Sequence, residues 1–340
     1  MRNRLIAATV VVCLVFVSGA AMAAAPFYQN KVVRITVGFS AGGGFDLWAR
    51  LIARHIGRNI PGNPTVVVEN ITGAGGLIQV NQLYKGTKAD GLTIGHINGG
   101  LILAQMVGQP EYEFDSMKFM YIGSSYKEND VYTFNKKSGI TSADKWRTSP
   151  VPVKIGGLMP GNSLDNTGRV IKEILGFPTQ IISGYKGSAD IRVAVESGEL
   201  AGGPTSFDSF WTTWKKSVDS GDMALVLQAT AKPIKEIADI PRIIDFAKTD
   251  EQKKFVQLIV HDANDYSRPF AFPPGTPRER VEIVRKAFQE TVKDKEFLAE
   301  LDKMKLSLDY TSGEEITSAM ANCAKLNQET KARLKTLLFK

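Results

Sequence analysis

Arg34-Ile-Thr-Val-Gly-Phe-Ser-Ala-Gly-Gly-Gly-Phe-Asp46 decides how this chain is read. An apolar strand runs into three consecutive glycines, and these run into an amphipathic helix. Leu47, Leu51, Ile52 and Ile56 mark the buried side of that helix at near-3.6 spacing. The glycines let the backbone turn tightly and leave peptide N–H groups uncovered by side chains. The helix start behind them carries roughly half a positive charge. Strand, bare loop and helix N-terminus together make an anion site, suited to a carboxylate or a phosphate. The same residues carry a rival reading, because Gly38-Phe-Ser40-Ala-Gly42 also spells the G-x-S-x-G of a hydrolase nucleophile elbow.

The first two dozen residues bear on compartment. Arg2 and Arg4 precede the apolar run Leu5 to Val17, and Ala21-Met-Ala23 fits the small-x-small cleavage rule. The run falls short of the ~20 residues that cross a bilayer as a helix. It reads as a secretory signal peptide, residues 1–23, cut after Ala23 and delivering the chain to the periplasm. Cys13 lies inside the run, and the Val12 before it fits a lipoprotein cleavage site poorly. The mature chain keeps one cysteine, Cys323, and so forms no internal disulfide; a chain this long builds large cores without staples. His55, His96 and His261 are scattered and no zinc spacing exists, so neither metal nor cofactor is implied. Removing Arg2 and Arg4 lowers the formal charge from +7 to +5, a modest excess compatible with an acidic ligand. No Lys/Arg run with interleaved aromatics points to nucleic acid.

Strands and helices alternate through the mature chain, which predicts α/β layers with mostly parallel sheets. Strands are expected at Val32 to Phe39, Thr65 to Glu69 and Leu92 to Ile97, with helices Asp46 to Ile60 and Leu77 to Lys85 between them. The pattern restarts at Val151, with strands near 153–156, 180–183 and 223–228. Helices are expected from Ser163 to Leu175, from Ser188 to Ser197, and through Phe207, Phe210, Trp211, Trp214 and Val218, whose aromatics read as core. Thr276-Pro-Arg-Glu279 reads as a capping box opening the C-terminal helices, with Val281, Val284, Phe288 and Val292 as a buried stripe. The chain is expected to leave a first lobe near Gly123 and return near Tyr266. Lobe one is then 24–123 plus 266–340, and lobe two is 124–265.

Three further loops follow strands, where ligands of α/β sheets bind. Gly73-Ala-Gly-Gly76 offers the amides of Ala74 and Gly75, yet lacks the third glycine of a dinucleotide fingerprint and the lysine of a P-loop. Met159-Pro-Gly161-Asn162-Ser163 has Gly161 to expose backbone and Ser163 to cap a helix. Tyr185-Lys-Gly-Ser188 offers an aromatic ring to a ligand or to the lobe surface, with Ser188 as the cap. Asp46 is equally readable as an ordinary N-cap.

Taken in order, these motifs resemble the Bug-type periplasmic solute receptors of tripartite tricarboxylate transporters. The likeness rests on Gly42-Gly43 with Asp46, Val66 to Asn70, Gly73 to Gly76, Asp90-Gly-Leu-Thr93, Tyr185-Lys-Gly187 and Pro273-Pro-Gly-Thr-Pro277, and covers essentially the whole mature chain. The resemblance implies a two-lobed, type II periplasmic-binding-protein architecture with the ligand between the lobes. It implies a monomer that captures a small carboxylated solute for the transporter's membrane subunits. The residues implied to bind are Ser40, Ala41, Gly42, Gly43, Asp46, Ala74, Gly75, Gly161, Asn162, Ser163 and Tyr185, with Asp46 bracing the loop. Phe39-Ser-Ala41 replaces a segment where the family is rich in proline. Ala238 to Arg242 keeps only part of a family signature, and Ile60-Pro-Gly-Asn-Pro64 is distinctive. These departures leave the fold expectation intact and bear on the ligand class.

The hydrolase alternative needs an acid and a histidine for Ser40, and offers His96 or His261. Its serine would follow the first mature strand, whereas the α/β-hydrolase elbow normally has strands before it. A sensory receptor is the third reading.

Overall fold

The computed structural model describes residues 25–339, and the signal-peptide reading lies outside them. The strands are β1 Val32–Val37, β2 Thr65–Asn70, β3 Thr93–His96, β4 Met120–Ser124, β5 Asp130–Asn135, β6 Val153–Gly156, β7 Thr179–Ile182, β8 Gly202–Ser206, β9 Met223–Ala229, β10 Phe270–Phe272 and β11 Thr311–Ser312. They form two sheets with helices packed on them. The first runs β11-β4-β10-β3-β1-β2 and the second β7-β6-β8-β5-β9. The architecture is α/β and two-lobed.

Most of the expected elements are present, with shifted ends. β1 stops at Val37, and the helix after it runs Gly44–Ile56. The helix Ser188–Ser197 has the expected bounds. The helix from Ser163 is regular to Arg169 and continues as a wider π turn to Ile174. In the aromatic helix Phe207, Phe210 and Trp214 are buried, while Trp211 is half-covered beneath Lys215. Thr276 does not cap: its hydroxyl donates to Pro273 O, and the helix Arg278–Thr291 starts after Pro277. Its stripe of Val281, Val284 and Phe288 is buried, as is Val292 just beyond.

The expectation of mostly parallel sheets is corrected. β1 pairs parallel with β2 and β3, and β6 with β7 and β8, but β10 is antiparallel to β3 and β4. β11 against β4, and β5 against β8 and β9, are antiparallel too. The reason is that the chain changes sheets twice. It crosses through residues 125–129 into β5 and returns through 267–269 into β10, entering each sheet reversed. β10 then sits between β4 and β3, in the middle of a sheet whose other central strands were laid down about 150 residues earlier in sequence.

Glycine fits where the loops abut. A Cβ on Gly38 would lie 2.6 Å from Gly76 Cα, so the two expected ligand loops pack backbone to backbone. At the far end of the helix Gly44–Ile56, Arg58 bridges His55, Asp294 and Glu296, pinning it to the start of the helix Lys295–Met304. Among the described residues no helix is long and apolar enough to cross a membrane.

His96 ends β3 fully buried, stacked on Phe270 at 4.1 Å, with Nδ1 3.2 Å from Phe45 O. Burial, and then the charge of Arg268, push its pKa down to about 3. The folded state therefore resists a proton that the unfolded chain accepts near 6.5. This contribution to stability is complete above pH 6.5 and is lost as pH falls towards 3, with a slope of up to about 1.4 kcal/mol per pH unit. Urea unfolding at pH 7, 5 and 4 should show a shallower acid loss for His96→Gln than for wild type; equal slopes would count against this assignment.

Candidate functional site

The glycine turn delivers the helix Gly44–Ile56 with its N-terminus facing the gap between the sheets. Gly43 is its N-cap and supplies no side-chain bond, and the first helical bond runs from Leu47 N–H to Gly43 O. The amides of Gly44 and Phe45 therefore have no acceptor within the helix. They border a cavity of about 20 Å³ lined also by Asn98, Asn162, Ser163, Ser188, Ser206, Glu128 and Arg268. That is room for about one water, far below the ~300–1,000 Å³ of ligand pockets, so a solute enters only as the two sides part.

Arg268 is the charged group of this cavity. It lies on the return crossing and is 2% exposed. Glu128, on the outgoing crossing, accepts from its Nε at 2.6 Å and from its Nη2 at 2.8 Å. The guanidinium sits between the rings of Phe45 (4.3 Å) and Tyr126 (4.8 Å). Its Nη1 is buried without a partner. A Cβ on Gly44 would fall 3.0 Å from that nitrogen and 2.6 Å from Ser206 Oγ, so the bare helix start and the guanidinium approach closely at the edge of the cavity. Two positive ends meeting in a buried space call for an anion, and the planar fork suits a carboxylate.

The sequence-predicted residues divide into groups. Gly43, Asn162 and Ser163 line the cavity. Asn162, not Ser163, caps the helix Ser163–Arg169, accepting from Leu164 N–H, and its Nδ2 donates to Gly75 O at 2.9 Å. Ser163 instead binds Asn98, whose side chain donates to Ser163 Oγ at 2.8 Å and accepts from its amide at 3.2 Å. Ala41 and Gly42 are exposed, and the Gly42 amide donates to Asp46. Asp46 sits in the first turn rather than at the N-cap. Burial alone would raise its pKa, but donors from Arg50, Gly42 and Asn70 hold it below the ordinary carboxylate range, and these bonds brace the loop. Ala74 is exposed and Gly75 packs on Met159, so neither lines the cavity. Gly161 is buried against Tyr112, with its carbonyl held by Asn166. Tyr185 hydrogen-bonds Glu199 at 2.5 Å away from the cavity, and Gly187 rather than Ser188 precedes its helix as the N-cap.

Ser40 donates its hydroxyl to Asp190 at 2.6 Å and its amide to Lys186 O. It joins the first glycine loop to the second sheet's helix Ser188–Ser197. His96 is bonded to Phe45 O and His261 to Gln257, so the described residues bring no histidine to Ser40.

No protein-family model matches the chain, and no curated protein does. Solved structures do match. The periplasmic binding protein BugD superposes with a TM-score of 0.74 at 18% identity, over 90% of this chain and 98% of that one. A protein of R. palustris solved with adipate gives 0.71 at 18% identity, over 90% and 97%. MatC from Rhodopseudomonas palustris with bound malate gives 0.69 at 14% identity, over 91% and 99%. The fold is that of the periplasmic binding proteins.

Arg268, Glu128, Asn98 and Ser206 were not singled out in the sequence. Arg268 stands alone before Pro269, and Glu128 sits in Lys-Glu-Asn-Asp, which reads as a solvated turn. The one available signal was a lone arginine entering the apolar run Phe270-Ala-Phe272.

Gly44→Ala should drive a methyl against the buried Ser206 and Arg268 side chains, weakening anion binding at least tenfold and lowering Tm as well. Arg268→Lys should abolish binding detectable by calorimetry, since one ammonium cannot hold Glu128 through two bonds and still reach the cavity. Wild-type affinity in both variants would place the anion elsewhere.

Proposed function

We propose that this chain is an extracytoplasmic solute receptor that captures a small carboxylated solute between its lobes and presents it to a tripartite tricarboxylate-type transporter. The observation that carries this reading is the buried, unpartnered Nη1 of Arg268 facing the free start of the helix Gly44–Ile56. A carboxylate there would accept from Arg268 and from the Gly44 and Phe45 amides, with hydroxyls of Ser163, Ser188 and Ser206 around it. The adipate and malate in the two structures above support the ligand class. A signal peptide ending at Ala23 and a periplasmic location belong to the same proposal, as does action as a monomer.

The lobes are proposed as 24–123 with 266–340, and 124–265, hinged on the two crossings. Ser40 with Asp190, Asn162 with Gly75 and Ser163 with Asn98 then act as contacts of the closed state. A ligand touching both lobes favours closure through its differential affinity for that state. The hydrolase reading has no comparable support, because Ser40 is bonded to a carboxylate that belongs to this closure contact.

A thermal-shift panel of small organic acids on the mature protein tests the ligand class. At 100 times its dissociation constant, a true ligand should add about 2.7 kcal/mol of stability. Shifts from sugars or cationic amines alone would overturn the reading. Small-angle scattering should show a smaller radius of gyration at saturation, and an unchanged profile would mean a rigid cleft. Ser40→Ala should weaken binding by up to about tenfold through loss of one charge-assisted bond. Stoichiometric labelling of Ser40 by a fluorophosphonate would instead establish the hydrolase.

A further inference from the structure

Behind the Glu128–Arg268 pair lies a second cavity, bordered by Glu128, Asp130, Ser163, Thr167, Ser267 and Ala229. It shares Glu128 and Ser163 with the first, so the two adjoin through those side chains. Their chemistry is opposite. The first offers a free donor, Arg268 Nη1. The second offers a free acceptor: Asp130 is 3% exposed and its Oδ1 is buried without a partner. The other acceptors around it are engaged, since both Glu128 oxygens accept from Arg268 and Ser163 O accepts from Thr167 Oγ1.

We propose that this second cavity is a specificity subsite in which Asp130 Oδ1 accepts a hydrogen bond from a hydroxyl or ammonium group on the solute whose carboxylate sits at Arg268. The inference rests on the anion site proposed above and narrows its ligand to a mono-anionic acid carrying a donor. Burial and the neighbouring Glu128 charge raise the Asp130 pKa, and a hydrogen bond joins the two carboxyl groups. Oδ1 is the oxygen left without a partner, and it remains an acceptor towards the cavity. A second carboxylate entering here would face the carboxyl groups of Glu128 and Asp130, so dicarboxylates are disfavoured. An alkyl chain would leave Oδ1 buried and unsatisfied. Position does the selecting: Asp130 begins β5, paired with Ser206 on one side and Ala229 on the other, so its side chain is fixed by a central strand.

The test is calorimetry with propanoate, 2- and 3-hydroxypropanoate, alanine, β-alanine and succinate, on wild type, Asp130→Asn and Asp130→Leu. Wild type should bind at least one hydroxy or amino acid tenfold or more tighter than propanoate, and succinate no tighter than propanoate. Asp130→Leu removes the acceptor at similar size and should bring that ratio to near one while propanoate still binds. Asp130→Asn keeps an acceptor towards the cavity and a donor towards Glu128, so it should keep the preference that Asp130→Leu loses. Binding of plain and substituted acids alike in wild type would overturn the subsite and leave the anion site standing. Retention of the preference in Asp130→Leu would overturn it too. A panel in which no acid binds overturns both.

Discussion

The ion pair between Glu128 and Arg268 is the constraint on which the rest depends. Its partners lie 140 residues apart in sequence, on the two segments that cross between the sheets. Removing two charges from water costs several kcal/mol per ion, and two short bonds offset that only in good geometry. A hydrophobic replacement of the same volume often serves stability as well or better. Stability alone therefore does not account for a guanidinium here. What the pair adds is a cation held rigidly, two of its nitrogens engaged by Glu128 and its faces covered by Phe45 and Tyr126, with the third nitrogen left towards the candidate cavity.

Around that cation the carboxyl groups take different protonation states. Asp208, bonded to Trp48 Nε1, is pushed up to about 7, chiefly by burial. Asp130 is raised too, first by burial and then by the Glu128 charge, while Glu128 is paired with the arginine. Asp46 lies on the other side of the first turn among donors and stays ionised outside the cavity. The loop needs little rearrangement when a solute arrives, and such preorganisation lowers the cost of binding.

The elements that carry local periodicity were legible in sequence. The strand–glycine–helix unit, the restart at Val151 and the stripe on the helix Arg278–Thr291 each follow from spacing alone. The antiparallel strands were not: β10 is three residues long and β11 two, too short to show a period, and β5 is buried along its whole length and shows no alternation. The candidate site was legible in its backbone part, because runs of glycine advertise bare amides. Its side chains were not. Arg268 and Glu128 become a site only through a pairing that no local window contains, and Asn98 acts by reaching across to Ser163. Caps were misplaced by one residue at Asn162 and Gly187 because neighbouring polar and glycine residues compete for one position, and local geometry decides.

The position of β10 also sets the order in which the molecule can be assembled. β3 and β4 border it on either side, and both are made long before it. Between the end of β3 at His96 and the start of β10 at Phe270 a ribosome adding ~5–20 residues per second needs on the order of ten seconds or more. Throughout that interval the two flanking strands have bare edges and the arginine of the ion pair does not yet exist. The first sheet consequently cannot be completed until β10 has been made. Pairings across such sequence separations fold slowly. The same topology that threads Arg268 between the sheets thus leaves that sheet incomplete until nearly four-fifths of the polypeptide has been made.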